Sequence, residues 1–234
     1  MLGKVAERTI DSGNDLVGML LAAQDAGTGE RMTDRQVRDE VMTIFLAGHE
    51  TTSVALTWTF YLLSQHPAVA AKLRSELDAV LGGRAPTVDD LANLPYNRMV
   101  IDEALRLYPP AWVLSRTPLA DDVIGGYRIP KGSNVFLSPY VTHRHPAFWD
   151  DPERFDPERF TPERAAGRPR FAYFPFGGGP RQCIGNNFAL LEAQLLLATI
   201  FQRYRLELWP EHQVGLLPLI TLRPKGGLPI GLSG

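Results

Sequence analysis

The run from Val41 to Leu63 constrains this chain most, because His49 and Glu50 are its only strongly polar or charged side chains. Its length would span a bilayer. Glu50 and the hydroxyls of Thr51 and Thr52 sit near the midpoint, however, where a charge costs about 2.5–3.5 kcal/mol on insertion scales. A long helix buried inside a soluble protein fits better. Thr33 is its expected N-cap, and the helix is expected to run from Asp34 to about Ser64, with acidic and polar residues in its first turns.

The rest of the first half also reads as helix. Asp15–Ala26 carries Leu16, Met19, Leu20 and Ala23 at helical spacing, and Gly27-Thr-Gly29 is expected to end it. Pro67 opens a helix whose Val69, Leu73, Leu77 and Val80 mark one face before Gly82-Gly83. Thr87–Asp90 resembles a capping box, with Asp replacing the usual Glu or Gln, and Pro95 opens a helix that Pro109-Pro110 must end. Short strands are expected at Val123-Ile124, Tyr127–Ile129 and Asn134–Leu137. From Thr142 to Pro180 the chain is rich in Pro, Arg, Gly and aromatic residues without period, and so long an irregular stretch needs a job. A helix apolar on most sides, expected to be central, follows Cys183 and runs to about Tyr204.

Composition narrows the function classes. With 24 Lys+Arg against 26 Asp+Glu, the net charge of -2 offers no polyanion-binding surface, so nucleic acid is not an expected partner. Cys183 is the only cysteine. It has no internal disulfide partner, which suits a reducing, cytoplasmic compartment. The first twenty residues interleave Lys4, Glu7, Arg8, Asp11 and Asp15 with apolar positions and show no leader.

Chemistry concentrates at Phe176-Gly-Gly-Gly-Pro-Arg-Gln-Cys-Ile-Gly185. Free backbone N–H groups and a positive helix end would stabilise a thiolate there. Such a thiol serves as nucleophile, redox sensor or metal ligand, while the ordinary role of a single cysteine is a small buried hydrophobe. A nucleophile needs a base, and no His follows in this segment, though a distant one could serve. A zinc site needs more thiols or a His cluster. An axial ligand to haem iron needs one thiolate only.

The segment resembles the haem-binding loop of the cytochrome P-450 superfamily, Phe-x-x-Gly-x-Arg-x-Cys-x-Gly, which Phe176, Gly179, Arg181, Cys183 and Gly185 match. The resemblance implies Cys183 as axial ligand to haem b, Arg181 as a propionate partner and Phe176 as a shield for the sulfur. It places Arg116 where a second propionate partner often lies. Ala47-Gly-His-Glu-Thr-Thr52 resembles the family's oxygen-activating helix. Gly48 costs a helix about 1 kcal/mol, and on this mapping it opens a groove over the iron while Glu50 and Thr51 deliver protons. Glu103-Ala-Leu-Arg106 resembles the family's Glu-x-x-Arg helix, although the pair by itself is an ordinary i, i+3 ion pair. Arg159, in Phe155–Phe160, is the expected third member of that network; Arg154 occupies the matching place in the first Asp-Pro-Glu-Arg-Phe copy. Together they would lock the irregular segment. His143-Arg144 would touch haem or brace the loop, and Ala111–Ser115 and Leu216–Ile220 resemble substrate-pocket segments.

The implied fold is mainly α with small β elements, the C-terminal portion of the family's domain over 1–234. The implied reaction is monooxygenation of a nonpolar substrate by O2. No dinucleotide or flavin motif appears, so electrons are expected from a ferredoxin, flavodoxin or flavin reductase. Arg154, Arg159, Arg164, Arg168, Arg170 and Arg181 either form a basic patch for that donor or meet the loop's own carboxylates. A peroxide-driven hydroxylase and a noncatalytic haem-binding fragment are the alternatives. The family's N-terminal half is not matched, so the expected product is truncated, excised or half of a split gene. Alone it is expected to expose apolar patches, bind haem weakly, and aggregate or need a partner.

Overall fold

The computed structural model of the chain describes residues 15–209 and 212–233. Residues 1–14, over most of which no leader was expected, lie outside the described residues. Two compact units divide between Glu50 and Thr51. Helix α2 (Asp34–Gln65) is continuous through the division.

In the first unit, α1 (Leu16–Ala22) begins where the Asp15 carboxylate accepts the Gly18 N–H at 2.8 Å. It ends earlier than the expected Ala26. The Asp25 carboxylate draws the N–H groups of Gly27 and Thr28 into a turn at 2.9 and 2.7 Å, which competes with helical hydrogen bonding. The start of α2 is capped reciprocally: Thr33 N–H donates to Gln36 Oε1 at 2.8 Å and Gln36 N–H to Thr33 Oγ1 at 3.3 Å. Met42, Ile44, Phe45 and Leu46 are exposed on this part of α2, contrary to burial along the whole apolar run.

In the second unit the remainder of α2 is buried at Val54–Leu56, Trp58, Leu62 and Leu63. No described helix is long and apolar enough to cross a membrane. Helix α3 (Pro67–Leu81) buries Leu73, Leu77 and Leu81 and closes on Gly82 in the left-handed conformation. Helix α4 (Pro95–Leu107) starts against α3, because the Glu76 carboxylate accepts the N–H groups of Tyr96 and Asn97 at 2.7 and 2.8 Å.

Among the described residues, four antiparallel strand pairs complete this unit. β1 (Leu114–Arg116) pairs with β4 (Val135–Leu137), and β2 (Asp122–Ile124) with β3 (Tyr127–Ile129). Gly125 and Gly126 join the second pair with φ of 57° and 86°, the conformation that a tight two-residue hairpin turn demands. Strand β1 was not anticipated, because no glycine turn marks it as Gly125-Gly126 marks β2 and β3. Short helices α5 (Pro139–Thr142) and α6 (Pro162–Ala165) punctuate the irregular stretch, and α7 (Asn186–Phe201) follows Cys183. Helix α7 buries Leu190, Ala193, Leu197, Ala198 and Phe201, but Phe188 is exposed, so burial follows one face rather than the whole circumference. Strands β5 (Arg205–Leu208) and β8 (Ile230–Ser233) pair, as do β6 (Gly215–Pro218) and β7 (Leu222–Lys225).

The irregular stretch is fastened to α4 by buried charge. Glu103 and Arg106 are fully buried, with Arg106 Nε 2.6 Å from Glu103 Oε2 and Nη2 2.8 Å from Oε1. Arg159 Nε lies 3.4 Å from Glu103 Oε1, and Asp156 N–H donates to the same oxygen at 2.8 Å. Arg106 also donates to the carbonyls of His143, Pro152 and Arg154 at 2.8, 2.7 and 3.1 Å. Arg159 donates to Asp150 and Asp151. Asp151 adopts a positive φ of 45°, unusual for a residue with a Cβ. Arg154 points its side chain to solvent and contributes only its carbonyl. Burial pushes the Glu103 carboxyl up, and the adjacent guanidiniums and the Asp156 N–H oppose that shift.

Removing one member strands the other charges in a dry interior. Glu103→Ala is expected to cost about 3–5 kcal/mol, read from urea denaturation. The exposed pair of Lys72 and Glu158 supplies the control, since Lys72→Ala should cost less than about 1 kcal/mol. Equal losses from both substitutions would contradict the network's role.

Candidate functional site

The cysteine loop is shaped by glycines that adopt left-handed backbone. Gly177 and Gly179 have φ of 72° and 70°. A Cβ on Gly177 would also meet Leu114 Cδ1 at 3.4 Å. Gly177 N–H donates to Phe174 O at 2.9 Å, and Cys183 N–H donates to Phe176 O at 3.0 Å, which folds the loop back on itself. The thiol is exposed, a few residues before the start of α7.

Cys183 opens on a cavity of about 900 Å³, counting open solvent at its mouth. Its walls are largely apolar, including Ala55, Ile101, Leu105, Leu114 and Leu190. Of the residues singled out in the sequence, it brings together Thr51, Arg116, Phe176, Arg181 and Cys183. Ala111 also lines it, whereas the turn 216–220 does not. That turn instead offers Leu219 O to Trp112 Nε1 at 2.9 Å and leaves Ile220 in solvent. Glu50 precedes Thr51 on α2. A Cβ on Gly48 would meet no heavy atom within 4 Å, so packing among the described residues does not require glycine. Gly185 lies outside the lining, and a Cβ there would rest 4.0 Å from the sulfur. Glu103, Arg106 and Arg159 belong to the buried network rather than to the cavity wall.

The donor set limits what can occupy this space. Among the described residues no three His, Cys, Asp or Glu side chains cluster as a metal site, and Cys183 is the one residue of these four types that lines the cavity. Arg181 has no carboxylate partner among the described residues, and Arg116 donates only to the carbonyl of Ser115 at 2.8 Å. Thr52, which the sequence motif contains but to which no role was given, lines the cavity with a buried hydroxyl that lacks a hydrogen-bond partner among the described residues. Apolar walls, one thiol and two available guanidiniums fit an apolar macrocycle with an anionic edge and one axial sulfur ligand, which is the chemistry of haem b.

The chain entering the loop is pinned residue by residue. Trp149 Nε1 donates to Ala172 O at 3.2 Å, and the Tyr173 hydroxyl lies 3.0 Å from both the Asp102 carbonyl and Oδ1. Phe174 N–H donates to His143 Nε2 at 2.9 Å. His143 Nδ1 lies 3.3 Å from Arg106 O. Nothing in the periodicity marked these residues; the His-Arg pair opening the irregular stretch was the one available signal. Arg144 braces the loop elsewhere, over Tyr140 and beside Glu153.

The cytochrome P450 family model matches residues 4–227. Cyclooctatin synthase of Streptomyces melanosporofaciens is 48% identical over 208 residues, covering 89% of this chain and 45% of that protein. Pentalenene oxygenase of Streptomyces avermitilis is 42% identical over 209 residues, covering 89% of this chain and 46% of that protein. The crystal structure of the cytochrome P450DA haem domain superposes with a TM-score of 0.87 at 41% identity, over 94% of this chain and 50% of that one. The chain thus spans about half the length of the relatives it matches.

Burial pushes the His143 imidazole down to about 3, so the folded ring stays neutral. An unfolded histidine gains its proton near pH 6.5. The unfolded state therefore binds more protons between about pH 6.5 and 3, and this group's stabilisation, complete above 6.5, is lost as pH falls. The difference in urea midpoint between the wild type and His143→Gln should shrink from pH 7 to pH 4. A constant difference would mean that the ring titrates alike in both states.

Proposed function

Because this chain belongs to the cytochrome P450 family, we propose that it carries the thiolate-ligand portion of a haem-thiolate monooxygenase. One oxygen atom of O2 enters an apolar organic substrate, and the other leaves as water with two electrons and two protons. The observation that carries this reading is the chain's one thiol opening on an apolar cavity beside two guanidiniums without carboxylate partners. Bound there, haem supplies the oxygen-activating chemistry.

The protein groups take the remaining roles. Cys183 Sγ would ligate the iron, and the donors of Arg181 and Arg116 would hold the propionates through charge-assisted hydrogen bonds. Phe176 shields the sulfur from water. Gly185 would add no side-chain bulk beside a bound haem, and Gly48 would add none on α2. Thr51 Oγ1 and the Glu50 carboxylate pass protons toward the distal side. The apolar walls suit a nonpolar substrate, as does the relative named for pentalenene. Exposed Arg154 and Arg170 suit an acidic electron donor such as a ferredoxin, flavodoxin or flavin reductase. A single cysteine, with no second thiol for an internal disulfide, suits a reducing, cytoplasmic setting.

In the reduced, CO-bound protein Cys183 should give the red-shifted thiolate band, and Cys183→Ala should lose it. Survival of the band in the variant would overturn the ligand assignment. With O2 and a donor, Thr51→Ala should lose about a hundredfold in product formation while retaining peroxide-supported turnover. Wild-type turnover with peroxide but not with O2 and a donor would favour the peroxide-driven reading. A thiolate band with no product under any donor would favour a noncatalytic haem protein.

A further inference from the structure

His143 is fully buried and hydrogen-bonded at both ring nitrogens, yet it does not line the cavity. Its partners determine its state. The Phe174 N–H can only donate, so Nε2 presents a lone pair; Arg106 O can only accept, so Nδ1 carries the proton. The two linkages at Arg106 are reciprocal: the guanidinium holds the His143 carbonyl at 2.8 Å, and the His143 ring holds the Arg106 carbonyl at 3.3 Å. The rings of Tyr173 and Phe174 lie 5.2 and 5.3 Å from the imidazole and leave it little freedom.

Beyond Phe174 the path to the thiol is short and continuous. Phe174 O receives Gly177 N–H, and Phe176 O receives Cys183 N–H, at 2.9 and 3.0 Å. The imidazole is thus the side-chain bridge from the Glu103–Arg106 ion pair to the first residue of this hydrogen-bonded loop. Of the three pins at 172–174, it alone holds a backbone N–H.

We propose that His143 is a positioning residue for the Cys183 thiolate, acting through the Phe174 N–H that its Nε2 accepts. This inference rests on the haem-thiolate reading. Its effect falls on how firmly the sulfur is presented to iron, because neither His143 nor Phe174 touches the cavity.

Two isosteric fragments of the ring separate the contributions. Asparagine reproduces the Nδ1 side, with a donor for Arg106 O and no acceptor for Phe174. Glutamine reaches the Nε2 side and keeps that acceptor. At matched haem content and temperatures below both unfolding midpoints, the thiolate to non-thiolate ratio in the reduced CO spectrum should be about fivefold lower in His143→Asn than in His143→Gln, the loss of one net hydrogen bond. Equal ratios in the two variants, whether lowered or unchanged, would overturn the proposal. Absence of the thiolate band in the wild type would instead defeat the haem-thiolate reading. A second measurement needs no variant: nitrogen NMR of the haem-free wild-type protein should find His143 protonated at Nδ1 alone, with Nε2 coupled to the Phe174 amide. A proton on Nε2 would refute the bridge.

Discussion

The buried carboxylate of Glu103 is the constraint on which the rest depends. It faces two guanidiniums and a backbone N–H where exposure is essentially zero. An ion group this dry is weak evidence of net stabilisation, because its desolvation offsets most of the attraction. Its value is geometric. Arg106 and Arg159 reach the carbonyls of His143, Asp150, Asp151, Pro152 and Arg154, so a stretch with little regular secondary structure acquires fixed coordinates.

The cysteine loop inherits that order. Ala172, Tyr173 and Phe174 are tied by Trp149, Asp102 and His143, and two of those ties end on α4. Glycines with positive φ then turn the chain so that Cys183, Arg181 and Phe176 share a cavity with Arg116 and Thr51. The result separates duties: charge and hydrogen bonding hold the frame, while the cavity keeps its thiol and two guanidiniums available for a ligand.

Much of this was legible in the sequence wherever local chemistry decides. Thr33 and Gln36 cap α2, Gly82 ends α3, and Gly125-Gly126 turns the β2–β3 hairpin, each through backbone geometry that few residues satisfy. Family resemblance separated Arg159 from Arg154, because their pentapeptides are identical and only the fold buries one. Long-range partners were not legible. A histidine in a Pro- and Arg-rich stretch gives no hint of accepting an N–H thirty-one positions away. The Thr52 hydroxyl beside Thr51 carried no separate signal, and the apolar run overstated burial at Met42–Leu46.

Above all, the Glu103 network organises the cysteine loop at a distance. Hydrogen exchange in the haem-free protein, comparing the wild type with the near-isosteric Glu103→Gln, tests it most directly. The amides of Phe174 and Cys183 should lose protection together with that of Asp156, while the α3 amides around Leu73 and Leu77 keep theirs. Loss at Asp156 with Phe174 and Cys183 unchanged would contradict the claim and leave the loop ordered by its own turns alone.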